Sequence, residues 1–120
     1  MEKVGSITDK ILAQYKIEVI NSNVYVHQGT FKHISKKHPD ILNSKDIIIK
    51  VLDSPDYIGQ NPKEKSSLEL IKKIDENYLV AIKIDIKTNN LIVASTYKIS
   101  DSKLQKMILS NRVYKADITK

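Results

Sequence analysis

The sequence predicts an α+β fold in which N-terminal helices pack on a small antiparallel sheet of about four strands. Three observations predict it. Apolar residues recur at helical spacing before residue 55, whereas between residues 67 and 99 they run or alternate in strand-length stretches separated by two short polar turns. One further helical stretch follows Ser100 and Asp101. The 120 residues suit one domain over positions 1 to 120, since chains usually divide only above roughly 200 to 250 residues. A single Phe and no Trp leave Ile, Leu and Val to fill the core.

Each element follows from local pattern. In "ITDKILAQYKI", Ile7, Ile11, Leu12 and Tyr15 form a helical stripe behind Thr8 or Asp9 as cap. "NSNVYVH" places turn formers before Val24, Tyr25 and Val26, predicting a brief strand. Thr30 is the expected cap of a helix through "FKHISKKH", which Pro39 closes by pushing His38 out of the α region. "SKDIIIKVLDS" gives a second amphipathic helix capped by Ser44. "PDYIGQNPKEKSS" reads as an irregular connection with an extended piece at Tyr57 and Ile58.

"SLELIKKID", "YLVAIKIDIK" and "NLIVASTYKIS" then form an antiparallel meander; in the second, Ile82, Ile84 and Ile86 alternate with Lys83, Asp85 and Lys87. Ser100 and Asp101 cap a last helix that packs on the sheet through Leu104, Met107 and Ile108. "NRVYKADITK" frames either a final strand or a loose tail.

The absence of cysteine removes disulfides, thiolate metal sites and cysteine nucleophiles together. The start lacks an apolar signal region, and no apolar run approaches the roughly 18 residues that span a bilayer. A soluble, cytoplasmic chain without a membrane partner is therefore expected. The net charge of +6 is uneven: residues 81–120 carry eight Lys/Arg against three Asp, whereas residues 41–80 carry six Lys against seven acids. A basic C-terminal third suits a polyanionic partner, because each phosphate neutralised releases counterions.

Three stretches offer chemistry. In "FKHISKKH", His33 and His38 are five residues apart, about 140° round a helix, whereas metal ligands share a helix face at i,i+4. No metal and no cofactor is expected there. Acid/base work fits better: Lys36 and Lys37 lie one turn on from His33 and favour its neutral form, while His38 sits at the negative end of the helix dipole. The same residues also read as a solvated helix face.

In "ASTYK", hydroxyls and Lys98 interrupt an apolar strand, so Thr96 or Tyr97 could donate to a phosphoryl oxygen with Lys98 or Lys83 stabilising the charge. The alternative is ordinary strand alternation, with Ser95 and Tyr97 on one side and Thr96 on the other. In "SPDYIGQNPKEK", Tyr57 is either a stacking surface for a base or an anchor into the core.

The order "HISKKHPDI", a helix, "VLDSPDYIGQNP", then strands ending in "VASTYKIS" before "SKL" resembles the phage-associated branch of the barnase, EndoU, colicin and RelE nuclease superfamily, the PBECR domains. The resemblance covers roughly residues 4 to 110. It implies a single BECR-like domain with helices on a four-stranded antiparallel sheet, and metal-independent cleavage of RNA, tRNA included, by a phage or mobile-element effector in a bacterial host cell.

On that resemblance His33 and His38 match the helix positions of the acid/base pair, Thr96 and Tyr97 match the strand hydroxyls, and Lys37 stabilises charge. Lys36, Tyr57, Lys83 and Lys98 are the expected substrate contacts. The implied partners are RNA and an immunity or antitoxin protein; a non-catalytic nucleic-acid or protein-binding module with the same fold is the alternative. The pattern departs from barnase-like sites in one respect: neither an arginine nor a glutamate falls in the obvious cleft, the only Arg being Arg112 near the end.

Overall fold

A computed structural model describes residues 1–116. In chain order it contains β1 (Glu2–Ser6), α1 (Asp9–Gln14), β2 (Asn23–Val26), α2 (Gln28–Lys37), α3 (Ser44–Asp53), β3 (Tyr57–Gly59), β4 (Ser67–Lys73), β5 (Asn77–Asp85), β6 (Asn90–Ile99), α4 (Asp101–Leu109) and β7 (Val113–Lys115). All seven strands join one sheet in the order β1-β2-β6-β5-β4-β3-β7. The last four residues of the stretch read as a final strand or tail lie outside the described residues.

The expected meander forms its centre. β4 and β5 pair antiparallel from Ser67 opposite Lys83 to Lys73 opposite Asn77. β5 and β6 pair from Asn77 opposite Ile99 to Asp85 opposite Asn90, with a bulge that leaves Ala94 unpaired. The β5–β6 turn closes through Asn89, whose left-handed backbone (φ 57°) suits asparagine, and through the Thr88 hydroxyl donating to Asp85 Oδ2 at 2.8 Å.

The expected sheet of about four antiparallel strands is corrected on both counts: it has seven strands and is mixed. β2 runs parallel to β6, pairing Val24 with Leu91 and Tyr25 with Ile92, and β1 adds antiparallel to the far side of β2. At the other edge β3 and β7 add three residues each. Strands this short hold too few residues for alternation to show, and "EKVGS" brings a single buried side chain, Val4. Their place in the sheet is decided by distant backbone partners.

Helix starts follow capping chemistry at two of four positions. Thr8 accepts from Ile11 N and Ser100 from Lys103 N, as the sequence predicts. α2 begins at Gln28 after an extended His27, so Thr30 lies inside it, and α3 follows a left-handed Asn43, one residue before the predicted cap.

The sheet separates two apolar layers. On one face Leu68, Leu70, Val80, Ile82, Leu91 and Val93 pack with Leu12 of α1, Ile34 of α2 and Ile48, Val51 and Leu52 of α3. On the other, Ile71, Leu79, Ile99 and Val113 pack with Met107 of α4. A fully buried aliphatic side chain contributes roughly 1.5–3 kcal/mol. The three-helix face therefore carries most of the stability, and the thinner α4 face is free to hold polar groups.

Gly59 fixes how the α4–β7 unit meets the sheet. A Cβ there would lie 2.1 Å from the carbonyl oxygen of Arg112 and 2.7 Å from Val113 Cγ1, and that same carbonyl accepts from Gln60 N at 3.3 Å. Gly59→Ala is expected to cost about 1–3 kcal/mol by overpacking against backbone. Urea unfolding checks it; a variant as stable as the wild type would contradict this account of the β3–β7 contact.

Candidate active site

The incomplete pairing of β6 creates the first half of the site. β2 pairs with β6 at Leu91 and Ile92, so among the described residues Ser95–Ile99 have no strand partner on that side. The end of α2 packs there instead. His38 is its C-cap, its N–H donating to Ile34 O at 2.7 Å while Pro39 forces it off helical geometry (φ −131°, ψ 65°). Its imidazole stacks on the Tyr97 ring, with centroids 5.6 Å apart and planes 28° from parallel.

Lys98 fastens this arrangement. Its ammonium lies 2.9 Å from Glu76 and 3.6 Å from Asp40, two residues beyond His38, and 5.9 Å from the centre of the Tyr78 ring. The Glu76 hydrogen bond, ahead of every other cause, raises its pKa.

The second half is an ion pair. Pairing register places Glu69, Ile71, Leu79, Ala81, Ser95 and Tyr97 on the same face of the sheet, the α4 side. Glu69 is 3% exposed, and Arg112 meets it with both prongs: Nε to Oε1 and Nη2 to Oε2, each 2.8 Å. A carboxylate in that position needs such a partner, because an unpaired buried charge is strongly disfavoured.

Local sequence aims the arginine. After α4, Asn111 turns left-handed (φ 62°), its N–H donating to Ile108 O and that of Arg112 to Met107 O. This paired closure reverses the chain and carries Arg112 back toward β4.

The two halves interact. Burial pushes the Tyr97 phenol above its ordinary value, the negative charge of Glu69 adds to the rise and Arg112 opposes it. The Glu69 hydrogen bond raises Arg112 in turn. Of the five guanidinium N–H groups Glu69 engages two, so the remaining edge is free to meet an anion. An imidazole, a protonated phenol and an oriented guanidinium together can move a proton and bind phosphate oxygens.

The other expected site residues fall elsewhere. Thr96 is fully buried on the opposite face, and its hydroxyl donates to Leu79 O at 2.8 Å, which leaves it no exposed edge. His33 is exposed among Phe31, Lys32, Ser35 and Lys36, a different set of neighbours from those of His38. Lys37 is exposed immediately before His38. Tyr57 is half-buried against the layer containing Ile71. Lys83 shares the face of Glu69 but stands two residues further along, opposite Ser67, about 7 Å away at strand rise. Lys98 is engaged by the acids described above.

No arginine or glutamate stands near "ASTYK" in sequence, but in the fold Glu69 and Arg112 pair on the sheet face that carries Tyr97. A signal for Glu69 was present, since one acid inside the strand "SLELI" must find a partner if the strand is central. Nothing local to residue 112 points to β4.

The family model described as phage-Barnase-EndoU-ColicinE5/D-RelE like nuclease 3, PBECR3, matches residues 2–106. That span includes His38, Glu69 and Tyr97 and ends before Arg112. No curated protein and no solved structure matches the chain.

The Tyr97 shift has a signed consequence. A folded-state value above the unfolded one means its contribution is complete below about pH 10, the ordinary phenol value, and is lost as pH rises past the folded value. Stability from urea unfolding should therefore fall above pH 10, and Tyr97→Phe should make that decline shallower. An identical decline in both proteins would contradict the burial assigned to this phenol.

Proposed function

The chain belongs to the PBECR3 family of phage-associated nuclease-like domains, and on that premise we propose that it is a metal-independent endoribonuclease. The substrate is RNA, with tRNA as the first class to test. The observation that carries this reading is the His38–Tyr97 stack on a sheet whose Tyr97 face also carries Arg112, oriented by a buried Glu69.

In the proposed reaction His38 removes the proton from a ribose 2′-OH, and the 2′ oxygen attacks the adjacent phosphorus. The bond to the 5′ oxygen breaks, and that oxygen takes a proton from the Tyr97 phenol, which regains one from solvent. Arg112 donates to the phosphoryl oxygens as charge builds on them; one such donor is worth about 2.7–4 kcal/mol of barrier. Glu69 is a positioning residue for Arg112. Lys37, exposed beside His38, and Lys36 add positive charge for the RNA backbone. The products are a 2′,3′-cyclic phosphate and a 5′-hydroxyl.

This reading puts the protein in a bacterial cytoplasm, with an immunity or antitoxin protein as a second partner. Among the described residues no helix is long and apolar enough to cross a membrane.

The test is incubation with total tRNA and RNA oligonucleotides in EDTA, with products identified by mass. Cleavage leaving cyclic phosphate is expected, with a 2′-deoxy substitution blocking it. His38→Ala should lower the rate by about 10²–10⁴-fold, and His33→Ala should leave it nearly unchanged. A folded protein that cuts nothing at high concentration would overturn the reading, leaving nucleic-acid binding without chemistry. A His33→Ala variant that loses activity while His38→Ala keeps it would overturn the residue assignment.

A further inference from the structure

Beside the proposed reacting centre, α4 and the chain leaving it form a shallow groove lined by Ser100, Ser102, Lys103, Lys106, Ser110 and Arg112. Three features set it apart from a solvated helix face. No carboxylate lines it: Asp101, the acid in the first turn of α4, accepts at 2.7 Å from the Asn77 amide on the sheet instead. Lys103, Lys106 and Ser110 fall on one stripe of the helix and its cap, at spacings of three and four residues. Among the described residues neither lysine has a carboxylate within ion-pair distance.

Arg112 adds a fourth feature, which matters most. Arg112 belongs both to this groove and to the pair with Glu69. A guanidinium already balanced by a buried carboxylate adds direction rather than net charge, so the attraction for an anion comes from Lys103 and Lys106. The groove thus shares Arg112 with the Glu69 pair on the Tyr97 face of the sheet.

We infer that this groove is a phosphate subsite that holds a flanking phosphodiester of a single-stranded nucleic acid while the scissile one lies at His38 and Tyr97. In its choice of ligand the inference rests on the ribonuclease reading. It also assigns a basis for substrate length: one phosphate beyond the scissile bond meets Lys103 and Lys106, and a dinucleotide has no such phosphate.

The experiment has two arms, so that failure of the ribonuclease reading and failure of the subsite are separable. In the first, anisotropy follows binding of a non-cleavable 2′-deoxy oligonucleotide across a salt series. Lys103→Gln/Lys106→Gln should weaken binding about tenfold at low salt. It should reduce the slope of log K against log salt by about 0.7, the value for one single-strand phosphate no longer neutralised. Lys63→Gln/Lys65→Gln, which removes the same charge from the exposed β3–β4 connection, should change neither by much.

In the second arm, kcat/KM is compared for di- and trinucleotide RNA. The wild type should prefer the trinucleotide, and the Lys103/Lys106 variant should lose that preference while cutting the dinucleotide as before. Equal effects of the two double variants on binding would overturn the subsite, and so would an oligonucleotide that the wild type does not bind. A wild type that binds through Lys103 and Lys106 but cuts nothing would uphold the subsite and overturn only the catalytic reading.

Discussion

Glu69 sits in the middle of an apolar strand, with the sheet beneath it and almost no contact with water. A buried carboxylate is costly on its own; desolvation costs several kcal/mol, and only a well-oriented partner offsets it. Arg112 supplies that partner from 43 residues away through two parallel hydrogen bonds. Other features then follow as requirements. Gly59 must lack a side chain so that the Arg112 carbonyl can approach β3, and Asn111 must turn left-handed to send the chain back. α4 must lie where Met107 can cover Leu79 and Ile71. A buried pair of this kind adds little net stability compared with an apolar replacement, but it specifies one arrangement of the α4–β7 unit on the sheet.

The other half of the site depends on a shortfall. β2 and β6 share only two paired positions, and the edge left bare is occupied by the end of a helix rather than by a strand. Pro39 makes that end abrupt, so His38 is presented at a helix terminus against Tyr97 instead of along a helix face. Lys98 ties the following turn to the β4–β5 connection through Asp40 and Glu76. A lysine that in sequence reads as a phosphate contact therefore ties two turns together, while Lys36 and Lys37 of α2 and Lys103 and Lys106 of α4 stand exposed.

Much of this was legible in the residues. The meander, three of the four helices to within a residue at their starts, the Thr8 and Ser100 caps and the effect of Pro39 all depend on neighbours in sequence, and each was readable. The parallel β2–β6 pair and β1 depend on backbone groups far apart in the chain, and four or five residues cannot announce them, whereas β7 was one of the two readings open for its stretch. Within the site, His38 and Tyr97 were readable as candidates because their residue types stand out. Thr96 stood out equally, and strand alternation turned it into the core. Glu69 and Arg112 were invisible as a pair, because a buried charge in sequence announces only that some partner exists.

A double-mutant cycle on Glu69 and Arg112 tests the central claim most directly, with unfolding free energies taken from urea titrations at neutral pH. Arg112→Leu alone is expected to cost about 3–5 kcal/mol by stranding the buried carboxylate. Glu69→Leu/Arg112→Leu should be far closer to the wild type than the sum of its single variants. Costs that add within about 0.5 kcal/mol would mean that the two side chains are energetically independent, and the account of the site built on their pairing would be wrong.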